Sequence, residues 1–238
     1  MPRELVVIMP VYNEEGAITS VLDEWVAALG ALGIDYFIAV RNDGSRDGTG
    51  RLLDEYAARV PTVRAYHQSN AGHGPTVLAG YRAHAAEAAW LFQIDSDNEM
   101  GPASFGELWR RRNDFDFLIG WRSGRQSPLP RRVLSLVSRL VVRAFYGGGV
   151  RDVNAPYRLM RSAAFCRLFA AIPRATFAPN LIVSGYAAAT GLRILNHPVP
   201  HTNRRTGVVS IRKWKLLKAG LRSFQQTIRF RLSGMPRD

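Results

Sequence analysis

The sequence predicts an α/β fold, a Rossmann-like and mostly parallel sheet with helices on both faces. Three observations predict it. Short apolar runs alternate with segments of helical periodicity through the first half of the chain. Each run ends in a cluster of polar residues, where a parallel sheet places its ligands. The length of 238 residues, 47% of them hydrophobic, suits one domain with a sizeable core.

Residues 5–9 form an apolar run stopped by Pro10, as in a buried strand, and residues 16–29 have helical periodicity. Residues 36–40 read as a second strand. Residues 48–60 read as a second helix, with Leu52, Leu53, Tyr56 and Val60 on one side. Residues 63–67, 90–94 and 115–119 read as the third, fourth and fifth strands, with a third helix over 76–89. The second half is less regular. A loop with two prolines spans 123–131, a helix spans 132–146 and ends at three glycines, and a further helix spans 179–190. Residues 193–195 read as a strand running into a loop broken at Pro198 and Pro200. Residues 211–232 read as a basic amphipathic helix. No repeat or low-complexity linker divides the chain, so residues 1–238 are expected to form one domain.

The formal net charge is +13, from 32 Lys+Arg against 19 Asp+Glu, and Lys213, Lys215 and Lys218 are the only lysines. Arginine binds phosphates through a planar fork, so this balance favours nucleotides, phospholipid headgroups or nucleic acid; the alternative is arginine on solvated faces. The single cysteine, Cys166, allows no intrachain disulfide. It sits in an apolar helical segment and is expected to be a buried thiol in a reducing compartment. The first apolar run is too short for a signal peptide. The best spanning candidate, 133–146, is interrupted by Arg139 and Arg143, so any membrane contact is expected to be peripheral.

Asp95-Ser96-Asp97 is the sharpest local signal. Two carboxylates at positions i and i+2, where an apolar strand turns into a loop, can both reach one hard cation. Mg²⁺ or Mn²⁺ prefers such oxygen ligands and shares them with a substrate diphosphate; Glu99 stands close enough to add a contact. The alternative is an Asx-rich turn leading to a helix at Pro102. Asn42-Asp43-Gly44-Ser45 is a second acidic turn. There Asp43 is placed to accept hydrogen bonds from a nucleobase or ribose, and Asp47 or Thr49 to cap the next helix.

These residues resemble family-2 glycosyltransferases with the GT-A fold, and within them the branch that acts on dolichol or polyprenol phosphate. Val7-Ile8-Met9-Pro10-Val11-Tyr12-Asn13-Glu14-Glu15 is similar to the family's opening strand and nucleotide loop. Asn42-Asp43-Gly44-Ser45 resembles its base-binding turn, Asn70-Ala71-Gly72-His73-Gly74 its Asn-x-Gly-x-Gly segment, and Asp95-Ser96-Asp97 its metal-binding Asp-x-Asp. Further on, Phe117 to Arg122, Arg131-Arg132 with Ser135, Asp152 to Arg158, and Arg204-Arg205-Thr206-Gly207 with Ser210 continue the likeness to about residue 215. The chain departs from the pattern at His73, often Lys; at Pro156, usually Gly; at Asn180, where an acidic residue is expected; and in the spacing of Ser210.

The resemblance implies an inverting transfer from a UDP- or GDP-sugar. Donor binding would fall to Pro10, Tyr12, Asn13, Glu14, Asp43, Asn70, Gly74, Asp95, Ser96 and Arg204. The cation would sit on Asp95, Asp97 and Glu99. Asp97, Asp152, Arg122 and Arg131 would carry catalysis. A polyprenyl phosphate would meet Arg122, Arg125, Arg131, Arg132 and Ser135. Residues 1–120 would form the nucleotide-sugar and metal half, 121–210 the acceptor half, and 211–238 an amphipathic tail.

A phosphate monoester, with a second pKa of ~6, needs positioning but no base. A glycan or small-molecule hydroxyl needs one, and Asp152 is the candidate; its other role is to brace the loop through a neighbouring arginine. The tail suits either an anionic lipid surface or packing on the domain. The expected setting is the cytoplasm at the inner face of a membrane, compatible with a membrane-protein partner. A non-catalytic nucleic-acid or membrane-binding module is the rival class. Against nucleic acid, acidic residues gather at successive strand ends. A nucleotidyltransferase lacks its Gly-rich, Lys-containing loop here, and a hydrolase is the weakest alternative.

Overall fold

A computed structural model describes residues 2–124, 129–202 and 213–236, with the backbone alone for 129–132 and 213–217. Strand β1 (Arg3–Val11) is buried over its last seven residues because it is paired on both edges and covered on both faces. It pairs in parallel with β2 (Tyr36–Asn42), which pairs in parallel with β3 (Val63–His67). On its other edge β1 pairs in parallel with β4 (Ala88–Gln93). Strand β6 (Arg158–Arg161) runs antiparallel between β4 and β5 (Phe117–Ser123), and β5 pairs in parallel with β7 (Ile194–Pro200). The order is β3-β2-β1-β4-β6-β5-β7, the expected mostly parallel sheet. Only β6 is reversed, so every other strand ends on one edge.

Helices α1 (Ile18–Gly30), α2 (Thr49–Arg59) and α4 (Phe105–Arg111) cover one face. Helices α3 (His73–His84), α5 (Leu129–Tyr146), α6 (Ser162–Ala171), α7 (Pro179–Ala189) and α8 (Lys213–Leu232) cover the other. The alternation of β1 separates the two cores. Val6 and Ile8 join Tyr81, Phe165 and Phe169, whereas Leu5, Val7 and Met9 join Trp25, Phe92 and Phe105.

Several expectations are corrected. The third helix stops at His84 rather than residue 89, because Ala88 already begins β4. Strand β5 extends to Ser123, so Trp121 and Arg122 lie in it and not beyond it. Strand β7 continues through Pro198 and Pro200, which an edge strand tolerates because one side of its backbone needs no ladder donor. Cys166 is exposed: α6 buries Phe165, Leu168 and Phe169, and Cys166 points off that arc. Helix α8 packs on the domain through Gly220, Ser223, Thr227 and Phe230, and the Tyr146 hydroxyl donates to the Thr227 carbonyl at 2.6 Å.

At the base of β5, the Asp116 carboxylate accepts from Arg193 Nε at 3.1 Å and Nη2 at 3.0 Å, and from Arg161 Nε at 3.1 Å. The Arg193 bonds, against the opposing effect of burial, hold this carboxyl below the usual range. A depressed pKa stabilises the fold above the unfolded-state value of ~3.9, and this is lost as pH falls through the folded-state value. Asp116→Asn is therefore expected to lower Tm by about 4 °C at pH 7, an effect of about 1.5 kcal/mol, with the gap to wild type closing in acid. A gap that does not narrow in thermal melts as pH falls from 7 into the acid range would contradict the ion-pair origin.

Candidate functional site

The turns after β1 and β2 are fastened to each other. The Asn13 amide donates to Ser45 Oγ at 3.0 Å, and the Arg46 amide to Asn13 Oδ1 at 2.8 Å. The Glu14 amide donates to Thr49 Oγ1 at 2.9 Å, and the Gly48 amide to Glu15 Oε2 at 2.5 Å. Asn13 adopts φ 54°, a left-handed value that asparagine tolerates. Tyr12 is left 40% exposed at the rim, while Pro10 lies inside β1 opposite Arg41 and Glu14 is buried.

Asp43, expected to face a base or ribose, is buried, and its carboxylate is held by the chain's own donors. Its Oδ1 accepts from Gln68 Nε2 at 3.0 Å and from the Ala71 amide at 2.8 Å, and its Oδ2 accepts from the Gly72 amide at 2.9 Å. Asn70 Nδ2 returns a bond to the Asp43 carbonyl at 2.9 Å. The 68–72 segment is thus strapped across the β2 turn. Gly44, at φ +69°, allows this approach; a Cβ there would stand 2.7 Å from the Asn70 nitrogen. Gly74 is a packing residue, its Cα facing the Phe177 carbonyl.

Asp95 follows β4. Its Oδ1 lies 3.0 Å from His73 Nε2 and accepts from Gln93 Nε2 at 3.2 Å. Desolvation works against the charge of both Asp95 and His73. Their mutual attraction outweighs it, helped by Arg122 on Asp95 and by Asp97 and Asp43 on His73. The carboxyl is left below its usual range and the imidazole above. Behind them, the buried Tyr81 hydroxyl lies 2.7 Å from Gln93 Oε1 and 3.1 Å from Asn180 Oδ1, and Asn180 Nδ2 donates to Gln93 Oε1 at 2.9 Å. A polar relay therefore runs from α7 and α3 to the Asp95 carboxylate.

Asp97 Oδ1 accepts from the Glu99 amide at 3.1 Å, and Ser96 is buried between the two acids. Glu99 faces another way: its Oε2 lies 3.0 Å from His201 Nε2, and its carbonyl accepts the Thr202 amide at 2.9 Å. It fastens this loop to the end of β7. Among the described residues no three His, Cys, Asp or Glu side chains gather into a metal cage. Two carboxylates at one turn fit a hard cation that takes its other oxygen ligands from a diphosphate and water.

A cavity of about 590 Å³ begins at Asp95 and His73, passes Arg122 and Asp152, and reaches between α5 and α8. Arg122 and Asp152 form a two-pronged ion pair, Nε to Oδ2 at 2.9 Å and Nη2 to Oδ1 at 3.2 Å, with both side chains mostly buried. Ser135 lines the same cavity from α5. Arg131 and Arg132 lie on α5 without described side chains, and Arg125 and Arg204 lie outside the described residues. Beneath the 152–156 turn, the fully buried Arg158 donates to the carbonyls of Ala155, Asn180 and Val153.

The sequence did not single out Tyr81 or Gln93 as site residues. Gln93 carries a signal in retrospect, a polar residue in an otherwise apolar strand; Tyr81 carries none, since its ring belongs to the core.

Residues 6–169 match the model of the family described as glycosyl transferase family 2. The chain is 29% identical over 204 residues to the undecaprenyl-phosphate 4-deoxy-4-formamido-L-arabinose transferase of Pseudomonas fluorescens (strain Pf0-1), covering 84% of this chain and 58% of that one. It thus spans less than two thirds of that relative's length. It is 28% identical over 244 residues to the polyprenol monophosphomannose synthase of Mycolicibacterium smegmatis, covering 97% and 89%. The fold is shared with the glucosyl-3-phosphoglycerate synthase of Mycobacterium tuberculosis in complex with Mn²⁺, uridine diphosphate and glucosyl-3-phosphoglycerate. That match has a TM-score of 0.61 and 19% identity, over 99% of this chain and 82% of that one. The expected GT-A architecture is borne out.

Proposed function

We infer the activity of this chain from its membership: it belongs to glycosyl transferase family 2. It moves a sugar, with inversion, from a nucleotide diphosphate-sugar to the phosphate of a polyprenyl-type lipid. One observation carries this reading. A single cavity joins the Asp95 turn, suited to a cation and diphosphate, to a buried guanidinium, Arg122, suited to a phosphate. The names of both curated relatives support a lipid phosphate as acceptor.

Asp95 and Asp97 would hold Mg²⁺ or Mn²⁺, and the Mn²⁺ in the mycobacterial structure supports that metal class. When bound, the cation supplies positive charge against the leaving diphosphate. Gln93 and the relay behind it fix the Asp95 carboxylate. Tyr12 and the clamped 13–14 turn flank the nucleotide. Arg122, held square by Asp152, orients the attacking oxygen of a phosphate monoester that is already largely dianionic near neutral pH and needs no base. The work is assigned to the inner face of a membrane. No helix among the described residues is long and apolar enough to cross one.

A second reading gives Asp152 the proton of a sugar hydroxyl, because its carboxylate lines the cavity. The two differ in Asp152→Asn. With a phosphate acceptor the variant is expected to keep about a tenth of turnover, the cost of loosening Arg122. With a hydroxyl acceptor, loss of the base removes about 10²–10⁴-fold. Nucleotide release measured with UDP- and GDP-sugars, with either cation, with and without polyprenyl phosphate, tests the reading itself. Release should need the cation and rise with the lipid; no rise for any donor would sink the acceptor assignment.

A further inference from the structure

We propose that the outward face of α5, together with the adjoining face of α8, is a docking surface for an anionic lipid bilayer, set so that the cavity opens toward it. Val133, Leu136 and Leu140 are 52%, 47% and 53% exposed. Their spacing of three and four residues places them in one stripe, opposite the stripe of Ser138, Val142 and Tyr146 that packs inward. Leu221 on α8, a helix packed beside α5, is 60% exposed. A row of large apolar side chains left in water marks an interaction surface.

The charge around the stripe identifies the partner. Arg139 and Arg143 are exposed one turn apart along one edge, and Lys218, Arg222 and Arg229 are exposed on α8. Neither helix contains an Asp or Glu. The whole chain is divided in the same sense: residues 1–116 hold 10 Arg+Lys against 17 Asp+Glu, and residues 117–238 hold 22 against 2. Nucleic acid would meet the arginines but leave the apolar stripe wet. A second copy docked across a two-fold axis would set this acid-free basic face against itself. A bilayer with anionic headgroups satisfies both features, the stripe in the acyl boundary and the guanidinium row at the phosphates.

The cavity gives the orientation a use, and this step rests on the lipid-phosphate reading. Leu134 and Ser138 line it from α5, and Gly220 and Phe224 line it from α8, so its far end lies between the two docking helices. A prenyl phosphate sliding in from the membrane would meet Arg122 head first.

The test is flotation of the whole chain with vesicles of phosphatidylcholine, alone or mixed with phosphatidylglycerol. Wild type should float with the anionic vesicles at low salt, and less with neutral lipid or added salt. Leu136→Glu with Leu140→Glu should weaken binding about tenfold or more. Arg139→Glu with Arg143→Glu should weaken it about tenfold and flatten the salt dependence. Both double variants should keep the wild-type Tm and turn over a water-soluble short-chain prenyl phosphate like wild type. The proposal is overturned by wild type that does not float at low salt, by double variants that float as well as wild type, or by light scattering that shows a dimer these changes split. Intact, variant-sensitive flotation without turnover of any prenyl phosphate would uphold the docking face and remove the acceptor reading instead.

Discussion

Asp97→Asn is expected to lower cation-dependent nucleotide release by about 10³-fold, a loss of about 4 kcal/mol of transition-state stabilisation, while leaving the fold intact. The geometry makes this substitution clean. Asp97 Oδ1 accepts a hydrogen bond from the Glu99 amide at 3.1 Å. An asparagine carbonyl accepts the same bond, so that contact of the turn is kept while the negative charge is removed. Tm should stay within about 2 °C of wild type, because few surface-proximal substitutions that keep their contacts cost more. Turnover should not be restored by excess donor, since the missing charge is needed at the moment the diphosphate departs. Unchanged turnover with saturating Mg²⁺ or Mn²⁺ would remove the metal assignment altogether.

Gly74→Ala is expected to cost about 3 kcal/mol and lower Tm by about 8 °C. A Cβ built at Gly74 falls 2.0 Å from the Phe177 carbonyl oxygen and 2.8 Å from that of Thr176. Both obstacles are backbone, so no rotamer change relieves them and the start of α3 must move away from the 176–177 segment. That movement carries His73 from Asp95 and disturbs the amides of residues 71 and 72 that Asp43 holds. Activity should therefore fall with stability. Gly148→Ala is the control, because a Cβ there meets nothing within 4 Å and the backbone is not left-handed. A melt showing equal Tm for both variants would refute the packing account.

The first half of the fold was legible because β1, β2 and β4 are apolar runs closed by polar turns, a pattern set by burial on both faces. Strand β6 was not, since it is four residues long with arginines at both ends, and its pairing comes wholly from the strands beside it. In the candidate site, Asp95 and Asp97 were marked by their position after an apolar strand, and they do follow β4. The Glu99–His201 contact joins residues 102 apart in sequence, and no local pattern reports it. Asp43 was marked as a ligand contact, and its carboxylate accepts from the Gln68 side chain and the amides of residues 71 and 72. A strap and a ligand contact call for the same residue type in the same turn. Cys166 misled for a related reason: an apolar segment shows that a helix buries a face, but the phase of that face comes from its neighbours.

The strap and the clamped 13–15 and 45–49 turns have one more consequence. Loops that must be ordered by a ligand subtract that ordering from its affinity. Here the turns proposed to flank the nucleotide are fastened to one another by the chain's own hydrogen bonds. On the proposed reading, a donor would meet preformed walls on this side and need little induced closure. On that reading, choice of nucleobase would rest on groups left facing outward, such as the exposed Tyr12, and changing specificity would mean recutting the rim while leaving the straps alone.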